Sequence, residues 1–179
     1  IQQPVAIKGV PSLRDALYYR RQKFLRLLFD GLGTVASPSI GPTTATYREY
    51  AFVHVRLGDF DSNPKVKGKM AQLDENYYKW AMRVYEKRYG KTKWIVVSDE
   101  PERALERIPH EFDLISGERR AEIDDLFLMS RSRGGVLANS TFSLWGGLLS
   151  DYHGGAIVAP KTWRRDGRKP LLPRSWFQV

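Results

Sequence analysis

From residue 93 onward, short apolar runs alternate with amphipathic ones in a strict order, and that alternation limits the fold more than any other feature. Residues 93–98, with Trp94-Ile95-Val96-Val97 at the centre, read as a buried strand. Pro101 opens a short helix to Arg107. Residues 112–115 form a short strand, and 118–132 a helix with Ile123, Leu126, Phe127 and Leu128 turned inward. Residues 134–138 follow as a strand, 144–152 as a helix, and 156–159 as a strand stopped by Pro160. Upstream lie a β-branched strand over 51–57, a lysine-rich loop over 61–72, and a helix capped by Asp74 and running to about Tyr89. In that helix Tyr78, Ala81, Met82 and Tyr85 share one face. Strands separated by helices predict an α/β fold, a parallel sheet with helices on both faces.

The ends of the chain are less regular. Ser12 and Asp15 mark a helix start, and apolar spacing carries that helix over about 12–30, to Gly31. Residues 31–46 are rich in Gly, Pro, Ser and Thr and read as a loop. The tail from Lys161 is polar, and its Trp176-Phe177 pair is expected to pack back on the body. The expected organisation is therefore an amino-terminal helix and loop over 1–50, followed by an α/β domain over 51–179. A length of 179 residues suits one real core.

Charge and cysteine count narrow the chemistry. The formal net charge is +9, which favours anionic partners such as a phosphorylated ligand, nucleic acid or an acidic membrane. The basic residues fall in small clusters at Lys65-Lys67-Lys69, Arg119-Arg120, Arg131-Arg133 and Arg164-Arg165-Arg168-Lys169, each read as a solvated face. No nucleic-acid reader motif accompanies them, so no nucleic-acid partner is expected. The absence of cysteine excludes disulfides, thiolate-bound zinc and thiol nucleophiles, and fits a reducing compartment. No apolar run is long enough to span a bilayer, and the first residues lack a signal-peptide pattern. A cytoplasmic or membrane-peripheral location is expected, with a removed Golgi-type anchor left open.

Ligands of parallel α/β sheets bind beyond the carboxyl ends of the strands. Three polar stretches fall there: His54 to Asp59, Ser98 to Glu100, and Asn139 to Ser143. That coincidence predicts one shared site. Asn139, Ser140, Thr141 and Ser143 stand where a strand passes into a helix, and they either cap the helix or hold an anion at its exposed amides. Arg56 carries a fork of donors suited to two phosphate oxygens, or else forms a salt bridge to Asp59. Asp59 is a candidate general base, or the group that holds Arg56. His54 faces away from Val53 and Val55, as a ligand contact or a structural histidine. Ser98-Asp99-Glu100 reads as the N-cap of the Pro101 helix. One of Asp124 and Asp125 should point inward, where a carboxylate could accept from the N1–H and amino group of a guanine.

Several chemistries lack their motif. There is no GxGxxG and no GxxxxGK[ST], hence neither a dinucleotide fingerprint nor a P-loop. The three histidines are scattered and Asp59-Phe60-Asp61 is a poor metal site, so no metal is expected. Arginine, hydroxyls and a helix start make a better, metal-free diphosphate clamp.

Taken together, these stretches resemble the α-1,2-fucosyltransferases, glycosyltransferase family 11. Their first hallmark, His-x-Arg-Arg-x-Asp-Tyr, stands here as His54-Val55-Arg56-Leu57-Gly58-Asp59-Phe60. The Ser-Asp strand end is Val97-Ser98-Asp99-Glu100, and the Ala-Asn-Ser-Thr-Phe-Ser-x-Trp-Gly stretch is Ala138 to Gly146. Asp125-Leu126-Phe127-Leu128-Met129-Ser130 precedes the latter and Ala159-Pro160-Lys161-Thr162-Trp163 follows it.

The resemblance implies the Rossmann-like, GDP-fucose-binding half of a GT-B enzyme that transfers fucose with inversion and without a metal. It implies that Arg56 binds the diphosphate, His54 lies near the nucleotide and Asp125 reads the guanine. Thr141, Phe142 and Ser143 would hold the phosphates, with Ser98, Asn139 and Ser140 beside them. Asp59 and Arg56 are the catalytic candidates. The expected partners are a GDP-sugar donor and a galactose-containing glycan acceptor.

Two departures stand out. The second arginine of the first motif is Leu57, its charge missing or supplied from Lys65 or Lys67. Relatives carry about a hundred further residues, a domain's worth, on the amino side, so residues 1–50 are expected to be a remnant of, or a link to, an acceptor domain supplied elsewhere. A chain opening on Ile1 is accordingly expected to be processed or a piece. The alternatives are a module that binds a nucleotide sugar or glycan without turnover, and a basic nucleic-acid binder.

Overall fold

The computed structural model of the protein describes residues 48–115 and 120–179, with Lys23, Phe24, Arg26, Leu27 and Asp30. Those five residues are helical, and Phe24 meets the Trp145 ring edge-on at 6.0 Å. The rest of the expected 12–30 helix, the 31–46 loop and the Glu118 helix start lie outside the described residues.

Six strands form one sheet: β1 (Tyr50–Val55), β2 (Lys93–Ser98), β3 (Leu114–Ile115), β4 (Gly134–Val136), β5 (Ala156–Ala159) and β6 (Phe177–Gln178). The spatial order is β3-β2-β1-β4-β5-β6 and every pairing is parallel. The first five were expected from short apolar runs, β1 from an alternating β-branched one. β6 was not, because a two-residue strand leaves no periodicity; it exists because Trp176 is buried and draws the tail along β5.

Among the described residues, the connections supply six helices: α1 (Gly58–Ser62), α2 (Pro64–Lys67), α3 (Glu75–Tyr89), α4 (Pro101–Leu105), α5 (Glu122–Arg131) and α6 (Thr141–Tyr152). The expected 61–72 loop thus holds α1 and α2. Asn63 ends the first and caps the second, its side chain accepting from Lys65 N–H at 3.0 Å, while Pro64 provides the fixed φ of a first helical position. Asp74 caps α3 as expected, accepting from Tyr77 N–H at 3.0 Å.

Each face of the sheet has its own core, as strand alternation requires. Ala51, Val53 and Val55 of β1 pack with Tyr78, Met82 and Tyr85 of α3 and Trp94 of β2. Phe52, Ile95, Val97 and Ile157 face Leu128 and Met129 of α5 and Leu148 and Leu149 of α6. The second layer is unusually close. A Cβ on Gly146 would stand 2.2 Å from Met129 Cε, so α5 and α6 touch across a glycine. Among the described residues, no helix is long and apolar enough to cross a membrane.

Helix α5 rotates differently from its apolar pattern. Ile123 is exposed and Leu126 and Phe127 are half-buried, while Asp124 and Asp125 are both buried, not one of them. The inward Asp125 carboxylate lies 3.6 Å from the Arg120 guanidinium, which precedes the helix.

Candidate nucleotide-sugar site

The chain leaves β1 toward β2 and leaves β4 toward β5, in opposite directions, so a crevice opens beyond their carboxyl ends. Such a switch point is where α/β sheets hold ligands. Here it is a cavity of about 640 Å3, with Arg56, Asp59 and Phe60 on one side and Asn139, Ser140, Thr141 and Phe142 on another. A smaller compartment of about 150 Å3 adjoins it, lined by His54, Ser98, Asp99, Arg120 and Asp125. Arg56, Glu122 and Phe142 line both.

The turn from β4 into α6 is closed by its own polar side chains. Ser140 is the N-cap, and its Oγ accepts from Ser143 N–H at 3.0 Å. Ser143 Oγ accepts from Ala138 N–H at 2.9 Å; the residue is fully buried and lines neither cavity. Asn139 donates from Nδ2 to the carbonyls of Ala71 and Trp163, at 2.8 and 2.9 Å. It ties the segment after α2 to the segment after β5. Thr141 and Phe142 begin α6, three residues before the helix start expected from apolar spacing, and first-turn amides have no carbonyl partner inside a helix.

Arg56 is gripped by two carboxylates. Its Nε and Nη2 donate to Asp59 Oδ1 at 3.0 and 2.7 Å, and Nη1 lies 3.3 Å from Asp99 Oδ2. Asp99 also accepts Leu57 N–H on Oδ1 at 3.1 Å. The expected N-cap role of Ser98-Asp99-Glu100 is therefore corrected: Glu100 holds the cap position of α4 without a side-chain cap bond, and Asp99 reaches across to the β1 loop. Ser98 Oγ accepts from Glu100 N–H at 3.1 Å. Gly58 is required by this crossing, because a Cβ there would stand 2.3 Å from Asp99 Oδ2. Leu57 enters the core at 3% exposure, and Asp61 pairs with Arg103 and Arg107, at 2.9 and 3.2 Å. Lys65 and Lys67 are exposed on α2 and line neither cavity.

The smaller compartment is different in kind. His54 Nδ1, Arg120 Nη1 and Asp125 Oδ1 are all buried there and none has a hydrogen-bond partner. Arg120 Nη1 lies 3.6 Å from Asp125 Oδ1, an ion pair too long for a hydrogen bond. Burial pushes the Asp125 carboxyl up to about 6, with Arg120 offsetting part of the rise. Burial pushes the His54 imidazole down to about 4, against the opposing pull of Asp99, so the ring is neutral at pH 7. The His54 ring packs on Phe142 at 5.4 Å between centroids. Among the described residues, no group of three His, Cys, Asp or Glu side chains is arranged to hold a metal ion.

Two parts of the site escaped the sequence reading. Arg120 and Glu122 sit where β-strand logic gives no signal, just before and at the start of α5. Trp163, Arg164, Arg168, Lys169 and Pro170 also line the larger cavity, although that basic cluster was read as a solvated face. The signal was available: these residues follow the carboxyl end of β5, by the same rule that flagged Arg56 and Asn139.

A parallel six-stranded sheet with this strand order and a polar crevice at its switch point defines a Rossmann-like α/β protein with a candidate ligand site. The chain belongs to glycosyl transferase family 11, whose model matches residues 12–175. Two relatives are both from Escherichia coli. The O-antigen biosynthesis glycosyltransferase WbnK is 30% identical over 131 residues, 71% of this chain and 43% of its own length. An alpha-1,2-colitosyltransferase is 31% identical over 134 residues, 71% of this chain and 46% of its own. The chain thus spans under half the length of these curated relatives. No solved structure matches it.

Proposed function

We propose that the chain holds the donor of a fucosyltransferase-like reaction, with GDP-fucose or a close GDP-sugar as that donor. The observation that carries this reading is the convergence of three buried polar atoms without a hydrogen bond, one on His54 and two on the Arg120–Asp125 ion pair, in a compartment opening beside Arg56 and α6. Buried polar atoms without partners are costly, and they are tolerated where a ligand completes them. A guanine edge offers what is lacking. Its N1–H and amino group donate to the Asp125 carboxylate, and its carbonyl accepts from Arg120. Neutral His54 adds a ring nitrogen and, with Phe142, an aromatic surface.

The diphosphate then lies at the junction of the two cavities. Guanidinium has five N–H donors, and the two carboxylates beside Arg56 engage Nε, one Nη2 hydrogen and the Nη1 side, so donors remain for phosphate oxygens. The first-turn amides of Thr141 and Phe142 and the positive end of α6 add to this. Ser98, Asn139, Ser140 and Ser143 act by holding the walls. In the reaction, an acceptor hydroxyl oxygen attacks the anomeric carbon from the face opposite the diphosphate and forms the new C–O bond. The bond to the β-phosphate oxygen breaks, and GDP leaves with the electron pair. Asp59 takes the hydroxyl proton, and Arg56 with the α6 amides neutralises the departing charge, without a metal. The acceptor is a glycan, galactose-containing in this reading.

Incubation of the chain with GDP-fucose and a simple galactoside tests the proposal. Fucosylated product or released GDP supports it. Saturable GDP-fucose binding without turnover supports the alternative, a donor-binding module. Absence of both contradicts the assignment.

A further inference from the structure

The larger cavity is electrostatically lopsided. On the β1 side, Arg56 faces Asp59 and Asp99, and Glu122 lines the same space, which leaves a surplus of two negative charges. On the side built by the segment after β5, Arg164 and Arg168 share the single carboxylate of Asp166, at 3.2 and 2.6 Å. Among the described residues, Lys169 donates to the neutral Gln178 Oε1, at 2.9 Å. Three cations against one carboxylate leave a surplus of two positive charges.

That basic wall is anchored. Arg164 bridges to Met70, Arg165 N–H donates to Lys69 O at 3.0 Å, and Ala71 N–H donates to Trp163 O at 3.1 Å. Asn139 fastens both segments, and the buried Trp163 ring donates from Nε1 to Pro160 O at 2.9 Å. Gly167, at φ +79°, turns the chain so that Arg164 and Arg168 reach the same carboxylate. Cations on a fixed backbone lose less freedom on meeting an anion than those of a loose tail.

Position separates this wall from the base compartment. Arg56, Glu122 and Phe142 line both cavities, whereas Arg164, Arg168 and Lys169 line only the larger one. A nucleotide with its base against Asp125 and its diphosphate at Arg56 leaves the basic wall to whatever enters beyond the diphosphate. We propose that Arg164, Arg168 and Lys169 form an anion subsite on the acceptor side, and that the acceptor carries a phosphate or carboxylate near the hydroxyl that is glycosylated. The inference rests on the donor reading for its orientation.

Calorimetric titration of galactose, galactose 6-phosphate and glucuronate into the chain saturated with GDP, at one low ionic strength, tests it. The phosphate sugar is expected to bind about tenfold or more tightly than galactose, since two uncompensated charges act on it across a partly screened cavity. Glucuronate binding equally well would make the shared feature the charge; glucuronate binding like galactose would restrict the subsite to phosphate. The double variant R168A/K169A should erase the preference and keep the GDP affinity. The exposed α2 pair, as K65A/K67A, should leave the preference intact. Three results overturn the inference: equal binding of galactose and galactose 6-phosphate; a loss of preference in K65A/K67A as large as in R168A/K169A; or a loss of GDP affinity in R168A/K169A, which would hand the wall to the donor. If GDP itself fails to bind, the donor reading falls, and the same sugar pair titrated without GDP still reads the wall.

Discussion

The turn between β4 and α6 and the compartment behind Arg56 are both lined with polar side chains, and they use them in opposite ways. In the turn, Asn139, Ser140 and Ser143 are hydrogen-bonded to backbone groups of the protein itself. In the compartment, His54 and the Arg120–Asp125 ion pair each keep a buried atom without a hydrogen-bond partner. The first arrangement holds shape, and the second, in the proposed reading, is completed by the base of a nucleotide. Polarity at a strand end does not by itself tell the two apart; the hydrogen-bond ledger does.

This contrast is open to breakage by substitution. The largest effect on stability is expected from Asn139→Ala, which orphans the Ala71 carbonyl, leaves the Trp163 carbonyl only its bond from Ala71 N–H, and loosens the tie between two segments. The loss should be about 2–4 kcal/mol, roughly 1–3 for the abandoned carbonyl and about 1 for the second hydrogen bond, read as a fall in Tm or in denaturation midpoint. Next in size, Asp125→Asn should weaken GDP binding roughly 10- to 100-fold, the range of a hydrogen bond to a charged group. A stability loss with unchanged GDP affinity would reverse the assignment of the two regions.

Ser143→Ala comes third. It removes the acceptor of a buried amide and should cost about 1–3 kcal/mol with GDP affinity per folded molecule unchanged. A direct phosphate contact by this hydroxyl would show as lost affinity instead.

The smallest effect lies in pH dependence. The Asp125 carboxyl is pushed up to about 6 by burial, so GDP affinity should fall as pH drops through that value. His54, pushed down to about 4, stays neutral over the same interval and contributes nothing to it. The linked stability has the opposite sense. The folded state holds the Asp125 proton where the unfolded chain has released it, so this group's contribution declines as pH rises from the ordinary carboxyl value toward 6. In Asp125→Asn both dependences should flatten over pH 5–7. A wild-type affinity that is level across pH 5–7 would show that Asp125 does not meet the base as a carboxylate.

Much of the sheet was legible because strands β1, β2, β4 and β5 are buried on both faces and written in β-branched and small apolar residues. The residues missed are those whose role depends on distant partners. Asp99 looked like a helix cap from its neighbours, and only the β1–β2 pairing places it against Leu57 and Arg56. The inward turn of both Asp124 and Asp125 is invisible to apolar periodicity, since that pattern pointed Ile123 inward. The basic stretch at 164–169 reads as surface in one dimension and becomes a cavity wall through its bridge to Met70. Position 57 shows the reverse. Leu57 was noted as a missing charge, and its side chain instead completes the core beside α3.

The central claim is that the β1 end, the α6 start and the α5 carboxylate serve one guanine diphosphate. The most direct measurement is a calorimetric comparison of GDP, UDP and ADP on the wild-type chain and on Arg56→Ala. The account predicts saturable GDP binding, UDP and ADP weaker by about tenfold or more for want of a matching base edge, and loss of measurable GDP binding in the folded Arg56→Ala protein. Equal affinity for the three nucleotides, or unchanged GDP affinity in Arg56→Ala, would contradict it.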